Sequence, residues 1–335
     1  MKRTQLWMGC LFFVLFNSCM QEKSLTVGFL LPNLTDARYP KDRDYFTAKM
    51  NQMGGKVEFD NAQNDPAMQE SQAKTMIAKG VKFIVICAVN QNLAASIVRL
   101  AHDRGVVIIA YERMIQNCNV DYFVAFDHSV VGKLQAEFAV QKKPDGNYVV
   151  IGGDKNDKNA ELIEKGQMEI LSPLIASGKI KILFKSFVED WSAEEANNLI
   201  KRIANLSEEK IDVVLSANDG MAGGVIRALE EVQPNYPTIV TGLDADVFAC
   251  NRIANGKQSM TIYKPLQQQA ERTAELVMAV SKGKSIPGMT ESVFNGISKV
   301  PVIYLNAVVV DKDKLRSTVI KDGFLKESDV FLPDK

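Results

Sequence analysis

Charged, amide and aromatic side chains recur in this 335-residue chain at the ends of apolar runs, where a binding chemistry would be sought. The clearest case is Val106-Val107-Ile108-Ile109-Ala110-Tyr111, which stops at Glu112-Arg113. A Val- and Ile-rich run of this kind predicts a strand buried on both faces. In open α/β sheets, ligands bind beyond the carboxyl ends of the strands. Glu112 and Arg113 are therefore expected at the mouth of a cleft. A carboxylate accepts hydrogen bonds from hydroxyls, and a guanidinium donates several in a rigid fork. Side by side they suit a neutral, hydroxyl-rich ligand. The alternative is an ion pair that only caps the strand.

The same placement recurs along the chain. Arg38-Tyr39 follows the first apolar run. Asp157 and Asn159, Asp190-Trp191, Asn218-Asp219 and Asp244 follow later ones, and Lys264 follows Met260–Tyr263. Flat aromatic faces stack on the CH faces of sugars, while amides and carboxylates take the hydroxyls. Alone, Asn218-Asp219 reads equally well as a helix N-cap. Jointly these residues are what an open sugar cleft presents.

Other chemistries find less support. The chain carries no GxSxG, Walker or nucleophile–base pattern, so an enzyme is not expected. The acidic groups could mimic a glycosidase pair, but Arg and Lys neighbours would keep them ionised, which suits binding better than acid catalysis. Formal net charge is zero, which gives no reason to expect nucleic acid. Cys87 sits in an apolar run and reads as a core thiol. Cys118 and Cys250 are far apart, and no CxxC or metal-ligand spacing occurs, so no metal is expected. His102 and His128 cannot form a zinc site together at any usual spacing, and a structural or surface role is expected for each.

The elements that must position these residues alternate. Strands are expected at Leu25–Leu31, Lys56–Asp60, Lys82–Cys87 and Val106–Tyr111. Helices are expected at Lys41–Met53, Pro66–Lys79 and Asn92–Arg104. The pattern starts again with strands at Tyr122–Phe126, Asn147–Ile151, Lys179–Lys185, Asp212–Ser216 and Thr238–Leu243. Helices at Val130–Gln141, Glu161–Ala176, Ser192–Asn205 and Asp219–Val232 lie between them. Strand–helix repetition implies parallel strands joined by right-handed crossovers. After it come Met260–Tyr263, a helix at Pro265–Val280 and one strand near Val302–Val310, as if the chain returned to the first half and crossed back. The expected fold is α/β: two doubly wound Rossmann-like lobes joined by a multi-strand hinge, a clamp around a cleft. The lobes are expected at residues 25–125 with 262–299, and 126–261 with 300–330.

The first residues read as a leader. Lys2-Arg3 precedes an apolar stretch from Leu6 to Phe16, too short to span a bilayer. Asn17-Ser18-Cys19 follows and resembles a bacterial lipobox. That resemblance implies a signal peptide at 1–18, cleavage before Cys19 and lipidation of its thiol, an anchor rather than a span.

Several segments carry a wider resemblance. They include Tyr39-Pro40-Lys41-Asp42-Arg43-Asp44, Ala110-Tyr111-Glu112-Arg113-Met114-Ile115 and Phe126-Asp127. Others are Gly146-Asn147-Tyr148, Asn218-Asp219 with Ala222-Gly223-Gly224, Gly242 with Asp244-Ala245-Asp246, Met260–Pro265 and Val319–Phe324. From about Leu25 to Ser328 the chain resembles type I periplasmic sugar-binding proteins, most closely the D-xylose-binding proteins of ABC importers. The resemblance implies sugar contacts at Arg38, Arg113, Asp157, Asn159, Trp191, Asn218, Asp244 and Lys264, and no cofactor. Tyr39 stands where that group has Trp, Glu112 where it has Asp, Leu243 for Gln and His128 for Asn. A Glu for an Asp moves the carboxylate by about one C–C bond, enough to change which hydroxyl it reaches. With Tyr39 and Glu112 added, these residues form the candidate ligand set. The implied role is a lipid-anchored protein of the periplasm or cell envelope. It would capture a monosaccharide, xylose or a related sugar, by hinge closure and deliver it to an ABC permease. A sugar sensor docked on a membrane histidine kinase is the alternative. The related DNA-binding repressors would need a helix-turn-helix where the leader stands.

Overall fold

The structure, a computed structural model, describes residues 24–332 except 37, 207, 287 and 288. The expected leader and Cys19 lie outside these residues. The chain begins with β1 (Thr26–Leu31), α1 (Arg38–Gln52), β2 (Lys56–Asn61), α2 (Pro66–Ala78), β3 (Phe83–Ile86), α3 (Ala95–His102), β4 (Val107–Tyr111) and β5 (Tyr122–Phe126). It continues through α4 (His128–Lys142), β6 (Gly146–Gly152), α5 (Lys158–Ala176), β7 (Ile180–Phe187), α6 (Ala193–Leu206), β8 (Val213–Ser216), α7 (Asp219–Val232), β9 (Ile239–Val240) and α8 (Val247–Ala254). Last come β10 (Thr261–Tyr263), α9 (Leu266–Ser281), β11 (Glu291–Phe294), β12 (Lys299–Leu305), β13 (Val308–Val310) and α10 (Glu327–Val330).

These elements form two lobes. The first surrounds a seven-stranded sheet of order β11-β12-β5-β4-β3-β1-β2, parallel except for β11. The second surrounds the parallel sheet β7-β6-β8-β9. Continuous apolar strands explain the burial. Phe29, Leu30 and Leu31 of β1 and Ile108, Ile109 and Ala110 of β4 are fully buried, as strands covered by helices on both faces must be. Apolar clusters fill both faces of each sheet. Phe46 and Met50, four apart on α1, both enter the first lobe's core, with Phe46 against Phe29 at 4.7 Å. Cys87, Cys118 and Cys250 are buried and free.

The chain passes between the lobes three times: after β5, at Lys264-Pro265, and between β12 and β13. Met260 and Ile262 share the second lobe's core, whereas α9 packs on α1 in the first. The single strand expected near 302–310 is two strands. β12 pairs in parallel with β5, Val302 opposite Phe123, and so belongs to the first sheet; β13 pairs antiparallel with β10. Assigning 300–305 to the second lobe is thereby corrected. The turn at Asn306-Ala307 breaks the apolar run and lets its halves serve different sheets. The expected strand 238–243 shortens to β9; past it the Thr241 amide still donates to the Val214 carbonyl, and the Gly242 carbonyl accepts from Ile262.

Glycine sets the helix spacing in the second lobe. A Cβ on Gly132 of α4 would lie 2.0 Å from the Ile163 carbonyl oxygen, and one on Gly166 of α5 would lie 2.0 Å from that of Ser129. The two helices therefore meet backbone to backbone, with their N-terminal turns, which carry His128 and Asn159, at the cleft. Gly166→Ala must push the helices apart. It should lower stability by about 2 kcal/mol or more, read as a drop in thermal midpoint. An unchanged midpoint would disprove the close approach.

Candidate ligand-binding site

A cavity of about 760 Å³ lies between the lobes. The first lobe lines it with Arg38, Tyr39, Glu112 and Arg113, the second with Asp157, Asn159, Trp191, Asn218 and Asp244, and the crossing segment with Lys264. All ten residues of the candidate set are thus brought together. Arg38 and Tyr39 are not loop residues as expected: α1 begins three residues earlier than the pattern implied, and they occupy its first turn. His128, expected to be structural or on the surface, faces the cavity at 4% exposure. His102 pairs with Asp121 at 2.9 Å away from the cleft.

Strand ends and helix starts explain the second lobe's wall. Asp157 accepts from the Asn159 amide and caps α5; Asn218 accepts from the Met221 amide and caps α7. The cap reading of Asn218 therefore holds and does not compete with a place in the cavity. Asp246 does the same for α8, accepting from the Ala249 amide. In a parallel α/β lobe, strand carboxyl ends and helix N-termini share one rim, so a cap residue there faces the cleft.

Trp191 is held by backbone. Its ring lies on Gly153, where a Cβ would sit 2.3 Å from the ring carbons. Asp190 and Trp191 have φ of 52° and 54°, and the Asp190 amide donates to Asp154 Oδ2 at 2.8 Å. Gly153 and Asp154 were missed as positioning residues, although the Gly152-Gly153 pair at a strand end was their signal. Across the cleft, Arg113 Nε faces Asp157 Oδ2 at 3.8 Å, and Arg113 also donates to the Ala88 carbonyl.

Glu112 and Arg113 have different partners despite being adjacent. Glu112 has φ of 64°, which turns its side chain into the protein. Glu112 Oε1 takes Arg38 at 2.8 Å and Lys264 at 2.9 Å, with His128 Nε2 at 3.5 Å; Oε2 accepts from Gln269 at 3.1 Å. Arg38 also pairs with Asp42, and Lys264 with Asp244. The Tyr111 hydroxyl donates to Asp42 at 2.6 Å. Burial alone would raise the Glu112 carboxyl, but Arg38 and Lys264 outweigh it and hold it well below the usual range. Burial would likewise lower the Lys264 ammonium, but Asp244 and Glu112 raise it. Asp42 and Gln269 gave no sequence signal as parts of this cluster.

At the rim, Lys41 donates to the Phe324 carbonyl at 2.8 Å and lies 3.6 Å over its ring. This contact joins α1 to the C-terminal segment, which packs on Tyr263 through the same Phe324 ring.

Residues 27–285 match the periplasmic binding protein domain. The chain belongs to that family. It is 38% identical to a D-xylose-binding periplasmic protein of Haemophilus influenzae over 94% of this chain and 95% of the relative. A protein of the same description from Escherichia coli is 36% identical over 96% and 97%. Among solved structures, an ABC transporter solute-binding protein of Clostridium phytofermentans with bound β-D-glucose superposes with a TM-score of 0.85. It is 30% identical and covers 91% of this chain and 99% of its own.

The buried cluster has a pH signature. A carboxylate whose folded pKa is depressed stabilises the fold above its unfolded value and loses that contribution as pH falls through its folded value. Glu112→Gln should therefore be less stable than the natural protein above about pH 4.3, the ordinary Glu value. The gap should narrow on further acidification, followed by urea unfolding at successive pH values. A gap independent of pH would mean that Glu112 is not ionised in the fold.

Proposed function

We propose that this chain captures a neutral monosaccharide, xylose or a related sugar, between its lobes and hands it to an ABC importer. The observation that carries this reading is an interlobe cavity that receives Arg113, Asp157, Asn159, Asn218 and Trp191 from both sides. It offers hydroxyl donors, hydroxyl acceptors and an aromatic face at once. Ion pairing inside the cavity supports a neutral ligand, since Arg38, Arg113 and Lys264 each already stand against a carboxylate. The xylose-binding description of two relatives over nearly the whole chain supports the sugar class. Binding is favoured over catalysis because Glu112 is held ionised between cations and has no proton to give.

Calorimetric titration against pentoses and hexoses tests the reading, with Trp191 fluorescence as a second signal. The chain has two tryptophans, and Trp7 leaves with the expected leader. A bound sugar should shift both signals; silence across the panel would overturn the proposal. Arg113→Ala removes charge-assisted hydrogen bonds worth about 1.5–3 kcal/mol each, so affinity should fall at least about tenfold. Normal binding by that variant would move the site elsewhere.

The finer reading is that Cys19 is lipidated and tethers the lobes to a membrane of the cell envelope. Cys19→Ser should release the protein into the soluble fraction with sugar affinity unchanged. A variant that still sediments with membranes would rule the tether out.

A further inference from the structure

Next to the cap residue Asn218 stands a carboxylate that the cavity does not use. Asp219 is the first residue of α7, and unlike its neighbours Asn218 and Gly220 it does not line the cavity. Its two oxygens take three neutral donors. Oδ1 accepts from Gln258 Nε2 at 2.8 Å; Oδ2 accepts from the Thr261 hydroxyl at 2.8 Å and from the Asp246 amide at 3.1 Å. Thr261 Oγ1 in turn accepts from the Ala245 amide at 3.2 Å. The Asp219 amide donates to the Leu243 carbonyl at 3.0 Å. One residue thus holds the backbone at Leu243, Ala245 and Asp246, on both sides of Asp244. That turn needs holding. Asp244 has φ of 101° and Ala245 of 52°, and such backbone persists only where contacts over-determine it. The carboxylate has room because residue 242 is glycine: a Cβ there would lie 1.9 Å from Asp219 Oδ1. What the turn presents is Asp244, which lines the cavity and pairs with Lys264 at 3.0 Å while its side chain stays 42% exposed.

We infer that Asp219 is a positioning residue for ligand recognition: it fixes the 244–246 turn and thereby the reach of Asp244 into the cavity. This rests on the sugar-capture reading above, in which the Asp244 carboxylate takes a sugar hydroxyl. The consequence is selective. Asp219 touches no sugar, so its removal costs affinity only through Asp244, and only for sugars that carry the hydroxyl Asp244 takes. A group that merely filled the second lobe's core would change stability and leave the choice among sugars alone. The link between the two carboxylates is measurable as such, since residues in one hydrogen-bond network show non-additive effects whereas independent residues add.

The test titrates the natural protein, Asp219→Asn, Asp244→Ala and the double variant against each sugar found to bind and its monodeoxy analogues at each ring position. Asn keeps the shape of Asp219 but must turn an N–H toward either Gln258 or the Asp246 amide, and a donor facing a donor is left unsatisfied. Asp219→Asn should weaken the parent sugar by about tenfold. The loss should vanish for one monodeoxy analogue, and in the Asp244→Ala background it should shrink to under about twofold. Thr261→Val keeps Asp219 and removes the hydroxyl that links it to the Ala245 amide, so it serves if Asp219→Asn does not fold. It should give a smaller loss of the same pattern. An equal loss for every sugar would mean that Asp219 acts on the lobe as a whole, and the inference fails. Unchanged affinities beside a lowered thermal midpoint would make Asp219 core filling only, and it fails again. A loss that persists undiminished without the Asp244 carboxylate would route the effect through another residue, which also overturns it. If the natural protein binds no sugar on the panel, the capture reading has failed and takes this inference with it, an outcome the earlier titration shows separately.

Discussion

A carboxylate shut away from water, shared by a cation of the first lobe and one of a crossing segment, is the constraint on which this structure turns. Left alone, a buried Glu112 would take up a proton. Arg38 and Lys264 on one of its oxygens reverse that preference. The arrangement has little slack. Removing one partner of a buried ion cluster leaves an uncompensated charge and costs far more than the cluster contributes against an apolar substitute. The positions of α1, α4 and the second crossing are therefore linked through one side chain. Asp42 and Asp244 extend the chain of charges outward on either side, and Tyr111 and Gln269 supply its hydrogen bonds.

The backbone around the cavity carries strain of a consistent kind. Glu112, Asp190, Trp191 and Asp244 all line the cavity, and all have positive φ, a region that non-glycine residues rarely enter. Such conformations persist only where surrounding contacts over-determine them, and they concentrate at functional sites. Here the over-determination is visible. The Glu112 amide still donates to Val124 and continues the sheet, and the Asp244 amide donates to Ile262. Asp154 fixes the turn that presents Trp191.

The second lobe reaches the same end with standard parts. Its cleft wall is the row of helix N-termini that any parallel α/β lobe presents at the strand carboxyl ends. The residues best suited to capping, Asp157, Asn218 and Asp246, are also hydroxyl partners by chemistry. One side chain can satisfy an orphan amide and still face the cavity. Close helix contacts at Gly132 and Gly166 bring two of these N-termini side by side.

The sequence by itself determined the alternation of strands and helices, the two lobes and the polar strand ends, from which the family resemblance selected sugar contacts that now line the cavity. The first three follow from local rules: apolar runs make buried strands, and polar residues just past them meet at one rim. What the tertiary structure decided was partnership. Adjacent in sequence, Glu112 and Arg113 find different partners, Glu112 with a left-handed φ, and no residue pattern announces that angle. His128 became a cavity residue because α4 starts two residues before its apolar periodicity does, capped by Asp127. Strand β12 joined the first sheet because a vacant edge beside β5 was there to be paired, a fact about a strand far away in sequence. Local composition fixes what each segment can become; which charge meets which depends on distances that only the folded chain creates.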